Sequence, residues 1–265
     1  MIVIKRSPCE FRYDEVSQEL FLDGKKLEPN TRLLGQLYDV LYDRLYAAVA
    51  DHKMALYLMY RGISRRQDEN RIRKSGLRFD ATVMPPMVMG KEFNKTFGHY
   101  HEPVKGAELP ELYDVLSGQA HFLLQRRRSG SNDVDEVRLF KAREGDKIVI
   151  PPGFGHVTIN PSRTRTLVTM KVAERNSRND YRPFIEKKGG AYYETSRGFI
   201  PNRNYEKLPR VKVLKPIEVE GFPKKKCIYR IFLENPERLA FLAKLPAPAS
   251  VAGAETPESP AGTRG

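Results

Sequence analysis

The sequence predicts a mainly β protein, an antiparallel barrel or sandwich with an N-terminal hairpin and helix and a C-terminal extension. Three observations predict it. Eight short β-like runs, ALYLMY, LRFDATVM, ELYDVL, AHFLLQ, VRLFKA, DKIVIPP, HVTIN and TLVTMKV, follow one another between residues 55 and 172. Gly, Pro, Asn and Asp separate them at short intervals, as expected of an antiparallel all-β fold. An amphipathic helical spacing of apolar residues precedes them and gives way to these runs.

In chain order, Phe11 and Tyr13, then Leu20 and Leu22, alternate as a hairpin, and Asp23-Gly24 supplies a turn at its end. From Thr31 to His52, apolar positions such as Leu33, Leu34, Leu37, Leu41 and Leu45 recur at helical spacing. They predict one amphipathic helix of about five to six turns, capped by Asn30 or Thr31. After Arg175 the pattern weakens to strand-like stretches at Val211–Leu214 and Ile228–Phe232, then a short helix with Asn235 as cap and Pro236 in its first turn. Residues 246–265 are rich in Pro, Ala, Gly, Ser and Thr and hold too few large apolar groups to offset their ordering entropy, so a disordered tail is expected. The expected organisation is an arm and helix (1–54), a central domain (55–200), a basic extension (201–245) and a tail (246–265).

The chain has 265 residues, 40% of them hydrophobic, which describes a folded protein. MIVIKRSPCEF introduces charge after four residues and does not read as a signal peptide. No run approaches the length of a membrane span. Cys9 and Cys227 are too few for a disulfide framework or thiolate metal site, so a cytoplasmic home is expected. A net charge of +13 could attract nucleic acid, a membrane surface or a phosphorylated metabolite, and most of the basic residues read as solvated surface. A nucleic-acid partner is not expected, because the basic residues are scattered without an RNP motif or a helix-turn-helix.

Five histidines occur, and three of them sit in two suggestive places. In GHYH, His99 and His101 are two apart, a spacing that sends both imidazoles to one face of a strand. Glu111 opens the run ELYDVL, and His156 follows the Pro-Pro-Gly turn in GDKIVIPPGFGHVTIN. Three imidazoles and a carboxylate suit one divalent first-row metal ion. Any one histidine alone reads as an ordinary structural residue, and His52 and His121 are left so. The set of four does not, because Gly145, Pro151, Gly153, His156 and Asn160 reproduce the second cupin motif throughout. His-x-His with Glu111 and Gly118 reproduces the first motif, with Phe93 in place of its glycine and a longer loop after His101. Glu108 competes for the fourth position. Glu111 is preferred because Glu-x-Tyr fixes the strand register, whereas Glu108 precedes Pro110 in a loop.

These residues resemble one cupin family in particular, the archaeal phosphoglucose isomerases. The resemblance runs without gaps through FDATVMPPMVMGKEFNKTFGHYH and continues through Glu111, Tyr113 and His156. It implies a jelly-roll barrel, interconversion of glucose 6-phosphate and fructose 6-phosphate, and a homodimer. It also implies a metal held by His99, His101, Glu111 and His156, with Fe(II) favoured over Zn(II), Mn(II) or Ni(II). Phosphate-binding positions map to Tyr57, Thr82, Thr96 and the Gly98 backbone. The base usually assigned in the family maps to Glu111, with a metal-assisted hydride shift as the other mechanism argued for the family, and Tyr113 and Tyr181 are candidates to hold sugar hydroxyls. One departure bears on chemistry: where the family has Gly-His-Asp-Tyr, this chain has Arg178, Asn179, Asp180 and Tyr181, and Asn179 can hydrogen-bond but cannot shuttle a proton. A cupin dioxygenase or a non-catalytic sugar-phosphate sensor remains the alternative.

Overall fold

Alternate residues of the central strands belong to two separate apolar cores, and this alternation organises the whole molecule. The computed structural model describes residues 2–5, 10–17, 19–216 and 221–245. The expected tail, 246–265, lies outside them. The chain begins with a four-stranded sheet of β1 (Ile2–Lys5), β2 (Glu10–Asp14), β3 (Glu19–Leu22) and β4 (Lys25–Lys26), adjacent in that order. Next come β5 (Asn30–Leu33), the helices α1 (Leu34–Leu37) and α2 (Arg44–Val49), and β6 (Ala55–Tyr60). Helix α3 (Glu69–Lys74) leads into β7 (Leu77–Met84), followed by the two-residue strands β8 (Val88–Met89), β9 (Glu92–Phe93) and β10 (Tyr100–His101).

The barrel proper is built from β7 and six further strands. These are β11 (Glu111–Ser117), β12 (Gln119–Arg127), β13 (Val134–Arg143), β14 (Lys147–Ile150), β15 (Phe154–Ile159) and β16 (Leu167–Glu174). After them come β17 (Asn179–Asp180), α4 (Arg182–Glu186), β18 (Tyr192–Thr195), β19 (Gly198–Pro201), β20 (Val211–Leu214) and α5 (Ile228–Glu234).

One sheet has the order β14-β11-β16-β7-β6-β5 and the other β15-β12-β13-β20. From β11 to β16 the chain passes back and forth between the two sheets, with β12 and β13 as a hairpin in the second, and all of these pairings are antiparallel, as in a jelly roll. Tyr57, Met84, Tyr113, Val115, Ile148 and Ile150 face the core between the sheets, joined by Phe122, Leu124, Leu139 and Val157 from the other side. The opposite face of the first sheet presents Leu58, Tyr60, Phe79, Val83, Leu112, Leu116, Val168 and Met170. Phe11, Tyr13, Leu20 and Leu22 of the N-terminal sheet cover it together with Ile228, Tyr229, Ile231 and Phe232 of α5. Polar contacts secure that helix. Asp114, fully buried, accepts from the Ile228 backbone N–H at 3.0 Å and lies 3.3 Å from the Lys147 ammonium. The Tyr229 hydroxyl donates to Asp68 at 2.9 Å.

Two expected elements take other forms. The helix predicted over Thr31–His52 is instead strand β5, the short turns of α1 and a 3₁₀ segment, and a restart at α2. Pairing of residues 30–33 with β6 outweighs their helical spacing, and the new helix starts where the Asp43 side chain accepts from the Tyr46 N–H. Leu45 and Val49, read as part of the apolar face, are exposed. The stretch Ile228–Phe232, predicted as strand, is α5, with the Cys227 sulfur accepting from the Arg230 N–H at its start. Five apolar-rich residues do not distinguish the two periods. The short helix after Asn235 is a 3₁₀ helix, Pro236–Leu242, without a side-chain cap. No helix among the described residues is long and apolar enough to cross a membrane.

Candidate metal centre and pocket

The two-residue period of the strands decides which side chains reach the barrel interior. On β11 it sends Glu111 and Tyr113 inward while Leu112 and Leu116 face the outer core. On β6 it sends Tyr57, Met59 and the following Arg61 inward, and on β7 it sends Arg78, Asp80 and Thr82. His99 and His156 face each other across an antiparallel bridge, with His156 N–H donating to His99 carbonyl oxygen at 3.0 Å. His101 lies on β10, paired with Asn179 of β17.

One ligand atom each from His99, His101, Glu111 and His156 falls within 4.8 Å of all the others. His101 Nε2 lies 3.2 Å from Glu111 Oε1, and the His99 and His156 rings are 4.6 Å apart. The donor set fits a divalent metal ion on two observations. His99 Nε2, His101 Nε2 and Glu111 Oε2 are buried and have no hydrogen-bond partner among the described residues, which for native buried polar atoms calls for an explanation. His99 and His156 are also held neutral, the form that ligates. Burial and the neighbouring His156 and His101 push His99 well below its ordinary value, and burial brings His156 down to about 3. At Glu111, burial pushes the carboxyl up, but His101 and Lys171 outweigh it and hold the group well below its usual range, as a carboxylate. Tyr113 goes the other way, raised well above its usual value by burial and then by Glu111. It remains a protonated phenol, 3.0 Å from His156 Nε2.

Glu108 is exposed, has no place in this cluster and lies next to Gly153. Glu108→Gln is therefore expected to leave metal content within about twofold of the unaltered chain, since exposed substitutions remote from a site have small effects. Elemental analysis of the purified variant checks it.

An open pocket adjoins the cluster. His99, His156, Tyr113, Tyr57, Thr82, Thr96, Asn179 and Tyr181 all contribute to its wall. The Tyr57 hydroxyl accepts from the Phe97 N–H at 3.2 Å, and Thr96 Oγ1 accepts from the Thr158 N–H at 2.9 Å. Asn179 Nδ2 donates to the Tyr181 hydroxyl at 2.9 Å, and the Tyr181 ring packs edge-on against Phe97. Gly98 occupies the bend before His99 with φ +85°, and a Cβ there would collide with Phe184 and Val157. That position requires glycine on packing grounds.

Sequence reasoning missed four charged groups on the pocket wall: Arg61, Arg78, Asp80 and Lys171. Arg78 Nε donates to both oxygens of Asp80 at 3.0 and 3.1 Å. Lys171 Nζ donates to Glu111 Oε1 at 2.7 Å and lies 4.0 Å from Asp80 Oδ2. The signal was present in VTMKV, where Val168, Met170 and Val172 share one face and leave Lys171 on the other.

A jelly roll with this inward His-His-Glu-His cluster is a cupin in class, with side chains that could hold a metal ion. A family model described as Glucose-6-phosphate isomerase matches residues 35–210, and the chain belongs to that family. Similar relatives include the glucose-6-phosphate isomerase of Thermococcus litoralis, 29% identical over 119 residues that make up 45% of this chain and 57% of that one. The Pyrococcus abyssi (strain GE5 / Orsay) glucose-6-phosphate isomerase is 33% identical over 92 residues, 35% of this chain and 44% of its own. The chain spans about half the length of the relatives it matches. Among solved structures, hazelnut (Corylus avellana) vicilin aligns with a TM-score of 0.35 and 13% identity over 47% of this chain and 32% of that one.

Proposed function

We propose that this chain interconverts glucose 6-phosphate and fructose 6-phosphate in the pocket beside the histidine–glutamate cluster. The observation that carries the proposal is the convergence of His99, His101, Glu111 and His156 beside a wall bearing Tyr57, Thr82 and Thr96, in a chain of this family. Bound by those four residues, a divalent ion, Fe(II) before Zn(II), Mn(II) or Ni(II), would polarise adjacent substrate oxygens. Tyr57, Thr82, Thr96 and the Gly98 backbone offer hydroxyl and amide donors for the phosphate, with Arg61 and Arg78 adding positive charge. Glu111, ionised and inward-facing, takes the proton from the carbon beside the carbonyl of the open-chain sugar and returns it to the neighbouring carbon. Tyr113, Tyr181 and Asn179 hold the sugar hydroxyls. The proposed assembly is a cytoplasmic homodimer.

Asn179 stands where the family's histidine is expected, so the principal chemistry falls to the other groups. A coupled assay with fructose 6-phosphate, run before and after chelation and with each metal restored, tests the proposal. Turnover is expected to vanish on chelation and to return with metal. Asn179→His is expected to raise it by up to ~10²-fold, at the lower end of what a positioned acid–base group contributes. Absence of turnover in both forms, folded and metal-loaded, would overturn the isomerase reading in favour of a sugar-phosphate-binding role.

A further inference from the structure

We infer that Lys171 is a catalytic cation of this pocket, fixing Glu111 through one oxygen and offering its other N–H groups to a substrate oxygen that gains negative charge. The inference rests on the isomerase reading for its substrate, and on geometry for its placement. Lys171 sits on β16 between Val172, which faces the outer core, and Met170, which does the same, so the strand period commits the lysine to the inner face. Its side chain is 14% exposed, and the ammonium meets Glu111 Oε1 at 2.7 Å on the wall shared with His99, His156 and Tyr113.

The division of labour at Glu111 is unequal. Oε1 accepts from Lys171, while Oε2 is buried without a hydrogen-bond partner and lies 3.9 Å from His156 Nε2. The clamp therefore ties Oε1, which also lies 3.2 Å from His101 Nε2, and leaves Oε2 toward His156. An ammonium carries three donors, and Asp80 Oδ2, at 4.0 Å, is beyond hydrogen-bond distance. Asp80 is already engaged by Arg78 through both oxygens and by the Gly62 N–H. Donors thus remain on Lys171 at the pocket wall.

In aldose–ketose isomerisation, the base takes a proton from the carbon beside the carbonyl. The C–H electron pair becomes a C=C bond and the carbonyl π pair moves onto oxygen, which then carries the charge. Returning the proton to the former carbonyl carbon turns the C=C pair into the new C–H bond, the neighbouring hydroxyl passes its proton to the charged oxygen and becomes the new carbonyl, and no electrons leave the substrate. A preplaced cationic donor beside that oxygen is the arrangement that stabilises the charged stage more than the ground state. A positive charge this close to the cluster also opposes a metal cation, so the same lysine weakens metal binding while it promotes the reaction.

The test uses the full chain with Lys171→Met and Lys171→Arg. Zinc affinity, measured by competition with a chromophoric chelator, needs no turnover. Lys171→Met is expected to bind zinc on the order of tenfold more tightly, while kcat for fructose 6-phosphate falls about 10²-fold with little change in KM. Lys171→Arg is expected to recover part of the lost kcat and return zinc affinity toward that of the unaltered chain. An ion pair that merely braces the strand would weaken both properties together and raise KM. Unchanged or weaker zinc binding in a folded Lys171→Met variant overturns the clamp, and an unchanged kcat overturns the catalytic role. If the unaltered chain shows no turnover at all, the isomerase reading fails separately, and the zinc measurement still decides the clamp.

Discussion

Glu111→Gln is expected to lose bound metal and, with it, turnover. The amide preserves the shape of the side chain but removes the negative charge that faces three imidazoles and Lys171. Its nitrogen also presents N–H groups where acceptors are required. One of its two terminal atoms meets Lys171 and lies 3.2 Å from His101 Nε2 while the other faces His156, so either orientation of the amide puts N–H groups where an acceptor is required. Glu111 has two proposed roles, as ligand and as proton carrier. Loss of the second alone is expected to lower turnover by ~10²–10⁴-fold. Elemental analysis and the coupled assay, with Glu108→Gln alongside, measure the two consequences. Retained metal and near-normal rates in Glu111→Gln would transfer both roles to another group.

The largest expected effect on stability lies on the far side of the same strand. Asp114→Ala removes the carboxylate that caps α5 and accompanies the Lys147 ammonium, whose side chain is 2% exposed. Removing one partner of a buried ion pair typically costs ~3–5 kcal/mol, and the carbonyl oxygens of Gly145, Pro223 and Lys224, which still accept from Lys147, place the loss at the lower end of that range. The urea midpoint of Asp114→Ala is expected to fall accordingly. Asp114→Asn, which can still accept from the Ile228 N–H, should fall less. Equal midpoints for Asp114→Ala and the unaltered chain would show that α5 does not depend on this contact.

Glu111 and Asp114 lie on opposite faces of one strand, and the two faces differed in how legible they were in the sequence. Motif spacing brought His99, His101, Glu111 and His156 forward as a set, and the structure gathers all four into one cluster. Glu-x-Tyr also distinguished Glu111 from Glu108, because a two-residue period is a strong constraint once one face is assigned. The turns around residues 34–52 were less legible. Leu34, Leu37 and Leu41 do bury their side chains, but what removes the start of the expected helix is pairing of residues 30–33 with β6, a long-range contact that leaves no local trace. The segment Ile228–Phe232 was too short for its period to declare itself. Lys171 was overlooked for a different reason. A lysine in a basic chain draws no attention until the strand period shows which wall it occupies, and Arg78 and Asp80 follow the same rule on β7.

The central claim is that turnover depends on one divalent ion held by the four-residue cluster. Titration of the chelated protein with Fe(II) under anaerobic conditions, following fructose 6-phosphate conversion and bound metal together, tests it most directly. Turnover is expected to rise in proportion to bound metal and to level off at one ion per chain, with His99→Ala and His156→Ala failing to reach that plateau. Full turnover in the chelated protein, or none with one ion bound per chain, would contradict it.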